Sequence, residues 1–269
     1  MIVPILLLQA AIHFGGDEVT EASGLVVSPT QEGIFWTHND SGDAAYLYAF
    51  DKSGKPKATV LVRNAFNFDW EDLAVGPMPG KSGTWLYAAD IGDNSVNRTE
   101  PCIYAIPEPK VGKSNRTKPL LSTEAIRFLL KYPDGPHNAE TLLCDPRNGR
   151  LIIVTKEPSG VSGIYRLPAD PSPRKANLLE KLGQFHIPAG GSTLVTGGSY
   201  RPDGSGVALV TYTHLIELKG DEFWTATPSV RPQPALQQLE AVAYSRDGKS
   251  IWLTSEGKNA PLVDLPATP

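Results

Sequence analysis

The sequence predicts an all-β fold, a single β-propeller of five blades, and three observations carry that prediction. A nine-residue stretch recurs five times in register: "EASGLVVSP" (21–29), "DWEDLAVGP" (69–77), "NAETLLCDP" (138–146), "LVTGGSYRP" (194–202) and "QLEAVAYSR" (238–246). Each copy passes through a short turn into a β-rich run, "GIFWTHND", "WLYAAD", "LIIVTK", "VALVTY" or "SIWLTSE". Repetition of one supersecondary unit at this spacing is the signature of a repeat architecture. Finally, the chain ends match the remaining length: 22 residues precede Ser23 and 29 follow Glu240, together about one blade of roughly 40–50 residues. A propeller must close its ring, so the N-terminal segment is expected to complete the last blade.

Taken in order, the first copy leads through "YLYAF" (46–50) and "KATVLV" (57–62), separated by the turn "DKSGK". That makes four short strands, the content of one blade. The second copy continues into "IGDNSVNRTEP", "CIYAI" and "EAIRFLLKY" (124–132), the last readable as outer strand or short helix. The third gives "GIYRL" and the ambiguous "NLLEKLGQFHI", the fourth "HLIEL" and "EFWTA", and the fifth ends in "APLVDL". Third-column residues Ser23, Glu71, Glu140, Thr196 and Glu240 are spaced by 48, 69, 56 and 44 residues. The 69-residue interval leaves a six-bladed ring as the alternative, with a degenerate blade hidden inside it.

Composition limits the function. The chain of 269 residues is 41% hydrophobic and 20% charged, ordinary for a folded protein. Its 25 Gly and 24 Pro are scattered, as many turns between short strands require. A net charge of −4 without a basic run gives a nucleic-acid partner no electrostatic support. Residues 1–11, "MIVPILLLQAA", are apolar but too short to span a bilayer. They read either as a signal peptide, giving a secreted or periplasmic protein, or as part of a cytoplasmic one; no Lys or Arg precedes the run, and Pro4 interrupts it. Residues 12–269 are then the propeller domain. Cys102 and Cys144 fall in different repeats and form neither a disulfide framework nor a zinc site.

The chemistry is expected at one end of the ring. Within a blade the first strand lines the axis and the second runs back beside it, so the start of one and the end of the other share a face. The start column supplies Glu21, Asp69, Glu71, Glu140 and Glu240; the end column supplies Asn39, Asp40, Asp90, Lys156, Tyr212 and Glu256. Carboxylates converging on an axis repel one another unless a cation enters. Ca²⁺ suits them, since it takes 6–8 oxygen ligands in flexible geometry. The expected metal ligands are therefore Glu71, Glu140, Glu240, Asp40, Asp90 and Glu256. His38, His137 and Lys156 are the candidate catalytic groups beside them. The same column can instead bond the neighbouring blade's backbone, with Lys156 paired to Glu140. No G-x-S-x-G elbow or complete phosphate loop is present.

The stretches "EASGL…FWTHNDSG…LYAFDKSGK", "DWEDLAVGP…LYAADIGDN", "NAETLLCDP…LIIVTK" and "LEAVAYSRDG…LTSEG" resemble bacterial β-propeller proteins near the SdiA-regulated and the phytase- and esterase-like propeller families. The resemblance covers about residues 20–262. It implies a propeller, and through the better-known relatives a Ca²⁺ bound by acidic residues near the axis. The chain departs from that pattern where Ser23 and Thr196 replace acids and where Lys156 stands in an acidic position. The expectation is a Ca²⁺-assisted hydrolase of an ester, lactone or phosphoester; the alternative is a propeller that binds a ligand or protein and catalyses nothing. The expected partner is a small molecule, a carbohydrate or a phosphoester, bound by a monomer.

Overall fold

The computed structural model describes residues 12–233, 236 and 238–269; the expected signal segment 1–11 lies outside them. The five repeats form five sheets, antiparallel within each four-stranded blade. Strand β1 (Ile12–His13) precedes blade 1, which contains β2 (Ala22–Val27), β3 (Ile34–Asn39), β4 (Tyr46–Asp51) and β5 (Pro56–Arg63). Blade 2 is β6 (Trp70–Pro77), β7 (Thr84–Asp90) and β8 (Cys102–Pro107), then, after the excursion β9 (Leu120–Glu124), β10 (Ile126–Lys131). Blade 3 is β11 (Ala139–Cys144), β12 (Leu151–Thr155) and β13 (Val161–Arg166), followed, after the two-residue β14 (Asn177–Leu178), by β15 (Glu180–His186). Blade 4 is β16 (Val195–Tyr200), β17 (Gly206–Thr211), β18 (His214–Lys219) and β19 (Ser229–Pro232). Blade 5 is β20 (Leu239–Tyr244), β21 (Ser250–Ser255) and β22 (Pro261–Pro266), with β1 as its outer strand.

The inner strands β2, β6, β11, β16 and β20 pack each on the next, and β20 returns to β2. Five apolar clusters fill the five junctions. Trp36 and Trp70 anchor the one between blades 1 and 2, and Tyr87 and Tyr165 the one between blades 2 and 3. Strand alternation supplies these residues: each blade is covered on both faces by its neighbours, so both faces of its central strands are apolar. Among the described residues no helix is long and apolar enough to cross a membrane.

The long second repeat holds no sixth blade. Its extra residues form β9, which pairs parallel to β5 at the edge of blade 1. The third repeat likewise lends β14 to the edge of blade 2, parallel to β10. Both additions cover an outer edge that would otherwise present unpaired backbone groups. The run 124–132, ambiguous by pattern, holds the fourth strand of blade 2, Ile126–Lys131, while Glu124 ends β9.

Ring closure is local and tight. Ile12 pairs with Leu262 and His13 with Pro261. Phe14 packs on Phe50 with ring centroids 4.5 Å apart, and its N–H donates to the Ala260 carbonyl at 3.0 Å. Gly54, at φ +79°, lies against the His13 carbonyl, where a Cβ would collide. Gly54→Ala should therefore destabilise the protein by about 1–3 kcal/mol through backbone strain and loss of this seam, read as a lowered denaturant midpoint. An unchanged midpoint would show that the N-terminal strand contributes nothing to closure.

Candidate functional site: an acidic axial pocket

The third-column residues share a geometry that no pattern reveals. In each blade the pairing of inner and second strand slips by one residue: between Ala22 and Gly24, Trp70 and Asp72, Ala139 and Thr141, Val195 and Gly197, and Leu239 and Ala241. The residue left unpaired is Ser23, Glu71, Glu140, Thr196 or Glu240. Each is the extra residue of a β-bulge, a device that bends a strand and re-aims a side chain.

The five bulge residues do different things. Ser23 Oγ donates to the Glu71 carbonyl at 2.7 Å, and Thr196 Oγ1 to the Leu239 carbonyl at 2.7 Å; each ties its blade to a neighbour. Glu140 forms an ion pair with Lys156, whose ammonium also donates to the Tyr212 hydroxyl at 2.8 Å. The second oxygen of Glu140, Oε2, is buried without a partner. Glu71 and Glu240 are 4% and 3% exposed, and neither carboxylate receives a hydrogen bond from a described residue.

The end of the second strand needs one adjustment. Asp90 lies opposite Trp70, as Asn39 lies opposite Ala22, Thr155 opposite Ala139, Thr211 opposite Val195 and Ser255 opposite Leu239. Asp40, Lys156, Tyr212 and Glu256 follow one residue later, and in blade 2 that position is Ile91. Asp90 accordingly does what Asn39 does. Asn39 Oδ1 accepts from the Thr20 and Glu21 amides; Asp90 Oδ1 accepts from the Asp69 amide at 3.1 Å and from Arg98 at 2.5 Å. Asp90 is thus neutralised by Arg98, next to the acidic group but apart from its unpaired members.

Asp69 takes the vacant role. Asp40, Asp69 and Glu71 each bring a carboxylate oxygen to within 4.8 Å of the others. Gly92 closes the cluster from blade 2, where a Cβ would collide with Glu71 Oε1 and Asp69 Oδ2. The trio has no salt bridge among the described residues. Its electrostatics are those of crowded, dehydrated acids. Burial, then Glu140, Asp40 and Asp69, hold the Glu71 carboxyl well above the usual range. Burial and nearby acids push Asp40 up to about 6. Burial raises Glu140 to about 7 although Lys156 pulls it back, and burial with Glu140 and Glu256 raises Glu240 to about 9. Glu256 is raised as well, by burial and Glu21, and accepts from Gln238 at 2.9 Å. Burial opposes the charge of Lys156, but Glu140 and Tyr212 outweigh it and raise its pKa.

The histidines stand elsewhere. His38 is 0% exposed, edge-on to Trp70 with centroids 5.5 Å apart. Its Nδ1 donates to the Asn39 carbonyl at 2.9 Å, Nε2 has no partner, and burial lowers its pKa to about 4. It is a neutral core residue of the first junction. His137 is held between Glu157 at 2.9 Å and Asp134 at 3.1 Å, against Tyr132 and Tyr165. Neither ring touches the acidic group. Asp72, the residue after Glu71, escaped the sequence reading; fully buried, it accepts the Leu142 amide at 2.8 Å and staples blade 2 to blade 3.

These features define a five-bladed β-propeller with a cluster of buried and half-buried acids at one end of its inner strands. Among solved structures, the chain is similar to one in a nidogen–laminin complex, with TM-score 0.51 and 15% identity over 90% of this chain and 74% of that one. It is also similar to a glucose dehydrogenase, with TM-score 0.50 and 11% identity over 97% and 100%. These likenesses are of fold alone. No protein-family pattern matches the sequence, and no curated protein matches it.

The raised carboxyls make stability fall with pH. The folded state keeps the Glu240 proton to about pH 9, whereas an unfolded Glu releases it near 4.5. Between those values the native state binds more protons, so metal-free protein loses stability as pH rises. Glu240→Gln removes the titration and should raise Tm at pH 8 by about 3–8 °C while changing little at pH 4. Equal Tm for both proteins at pH 8 would show that Glu240 is ionised without strain.

Proposed function

We propose that the axial pocket is a Ca²⁺ site and that the protein is a cation-dependent ligand-binding propeller. The observation that carries this reading is the trio Asp40, Asp69 and Glu71, which bring carboxylate oxygens within 4.8 Å of one another and form no salt bridge among the described residues. Three carboxylates supply up to six oxygens, enough for most of a calcium shell and ill suited to softer metals. Glu140, Glu240 and Glu256 lie around the trio, and Lys156 is already committed to Glu140.

A second reading, metal-assisted hydrolysis of an ester, lactone or phosphoester, is favoured by one observation. Glu140, at about 7, and Glu240, at about 9, sit beside the trio with values pushed apart by their surroundings, the pattern that marks an acid–base pair. Bound Ca²⁺ would polarise the substrate oxygen; Glu140 would take the proton from attacking water and Glu240 would give one to the leaving group. With both histidines turned away from the pocket, binding alone is the better supported of the two.

Calcium at a hundredfold excess over Kd should stabilise the protein by about 2.7 kcal/mol relative to chelator, read as a rise in Tm. Glu71→Gln and Gly92→Ala should each abolish most of that rise. Identical melting of the wild type with Ca²⁺ and with chelator would overturn the cation reading. For the hydrolytic reading, p-nitrophenyl acetate and p-nitrophenyl phosphate are the probes. Calcium-dependent turnover lost in Glu140→Gln, with the Tm response kept, would support it; no turnover above the protein-free rate would exclude it for those esters.

A further inference from the structure

The nine-residue repeats converge a second time, where the inner strands end. Their last positions are Pro29, Pro77, Pro146, Pro202 and Arg246. All five line one cavity of about 430 Å³, an ordinary size for a small-molecule site. All five are exposed or half-buried, so they form its mouth. Four repeats bring a proline ring there, and the fifth brings a guanidinium.

The inner end of the cavity is closed. Leu73, Leu142 and Gly198 line it and are buried. Behind them the Asp72 carboxylate accepts the Leu73 and Leu142 amides at 2.8 Å each and bonds the Gly198 backbone. Asp72 thus bars the axis between this cavity and the acidic cluster. Val26, Val75 and Ala243 contribute to the walls between. No Asp or Glu lines the cavity, and Arg246 is its one charged residue. Leu73 to Pro77, which follow its wall, cover about 13 Å of strand, a depth that suits an extended chain.

Arg246 is set in place but not neutralised. Its Nη2 donates to the Pro29 carbonyl at 2.6 Å, across the seam between blades 5 and 1. Among the described residues it forms no ion pair. The adjacent Asp247 is engaged by the Ser245 hydroxyl at 2.7 Å and the Lys249 amide at 3.1 Å. A guanidinium has five N–H donors in a planar fork, so one backbone contact leaves most of the fork for a carboxylate.

We propose that this cavity binds a monocarboxylate with an unbranched hydrocarbon chain. The carboxylate pairs with Arg246 at the mouth, and the chain passes the proline collar toward Leu73 and Leu142. Charge fixes the orientation, because the one cation stands at the mouth and the inner end presents apolar residues. The site lies apart from the acidic cluster and does not depend on the cation reading.

The test is calorimetric titration of wild type, Arg246→Met and Arg246→Glu with octanoate, 1-octanol and octylammonium near pH 7, and of wild type with butyrate and hexanoate. Octanoate should bind wild type ten times or more tighter than octanol. From butyrate to octanoate each added CH₂ should tighten binding by about threefold, as burial of a methylene requires. Arg246→Met should bring octanoate down to the level of octanol and leave octanol unchanged. Arg246→Glu should bind octylammonium tighter than octanoate, a reversal that a merely structural role for Arg246 would not produce. The side chain is exposed, so both variants should keep the ligand-free Tm of wild type. Absence of octanoate binding by wild type, equal affinities for octanoate and octanol, or affinity indifferent to chain length would overturn the assignment. So would a carboxylate preference that survives in Arg246→Met.

Discussion

The bulge at the start of every inner strand is the constraint on which the functional end of this molecule depends. A regular strand would send alternate residues to alternate faces, and each blade face is buried in a junction core. One unpaired residue breaks that alternation and frees a single side chain per blade. Because the ring closes, five such side chains meet around one axis. Their proximity is a property of the ring, so it survives whatever residue each blade places there.

That freedom has been used in two ways. Ser23 and Thr196 bond the neighbouring blade's backbone and complete the cylinder of inner strands. Glu71 and Glu240 make no such bond, and Glu140 leaves one oxygen orphaned even with Lys156 beside it. A buried acid without a partner is held against a desolvation penalty of several kcal/mol unless it stays protonated or meets a cation. The structural and the functional use of the column are therefore divided residue by residue, with hydroxyls as fasteners and acids as the site.

The departures from the repeat serve the edges and the surface. Extra length in the second and third repeats becomes β9 and β14, which cap blades 1 and 2 without disturbing the ring. The same excess gives blade 2 a long loop after β7, with Arg98 neutralising Asp90. Blade 2 contributes two acids, Asp69 and Glu71, to the trio and, next to them, a surface groove lined by charged and aromatic residues.

The sequence by itself pointed to a propeller of five blades, with six as the alternative, to the inner and second strand of each, and to a shared column of acids. These follow from local patterns repeated in register: turn residues, apolar runs and a column of carboxylates; the exclusion of a sixth blade and the outer strands of blades 2 and 4 came from the tertiary structure. Closure by the N-terminal strand was legible too, because leftover length is a property of the chain. Three things were decided only by tertiary structure. Asp90 aligned by eye with Asp40, but pairing register sets it with Asn39, and a one-residue slip separates a strand fastener from a pocket lining. His38 looked like a base beside the acids, yet the junction core around Trp70 buries it completely. Asp69 stood in the start column, but that it and not Asp90 joins Asp40 and Glu71 was settled by the bulge, the loop and the neighbouring blade.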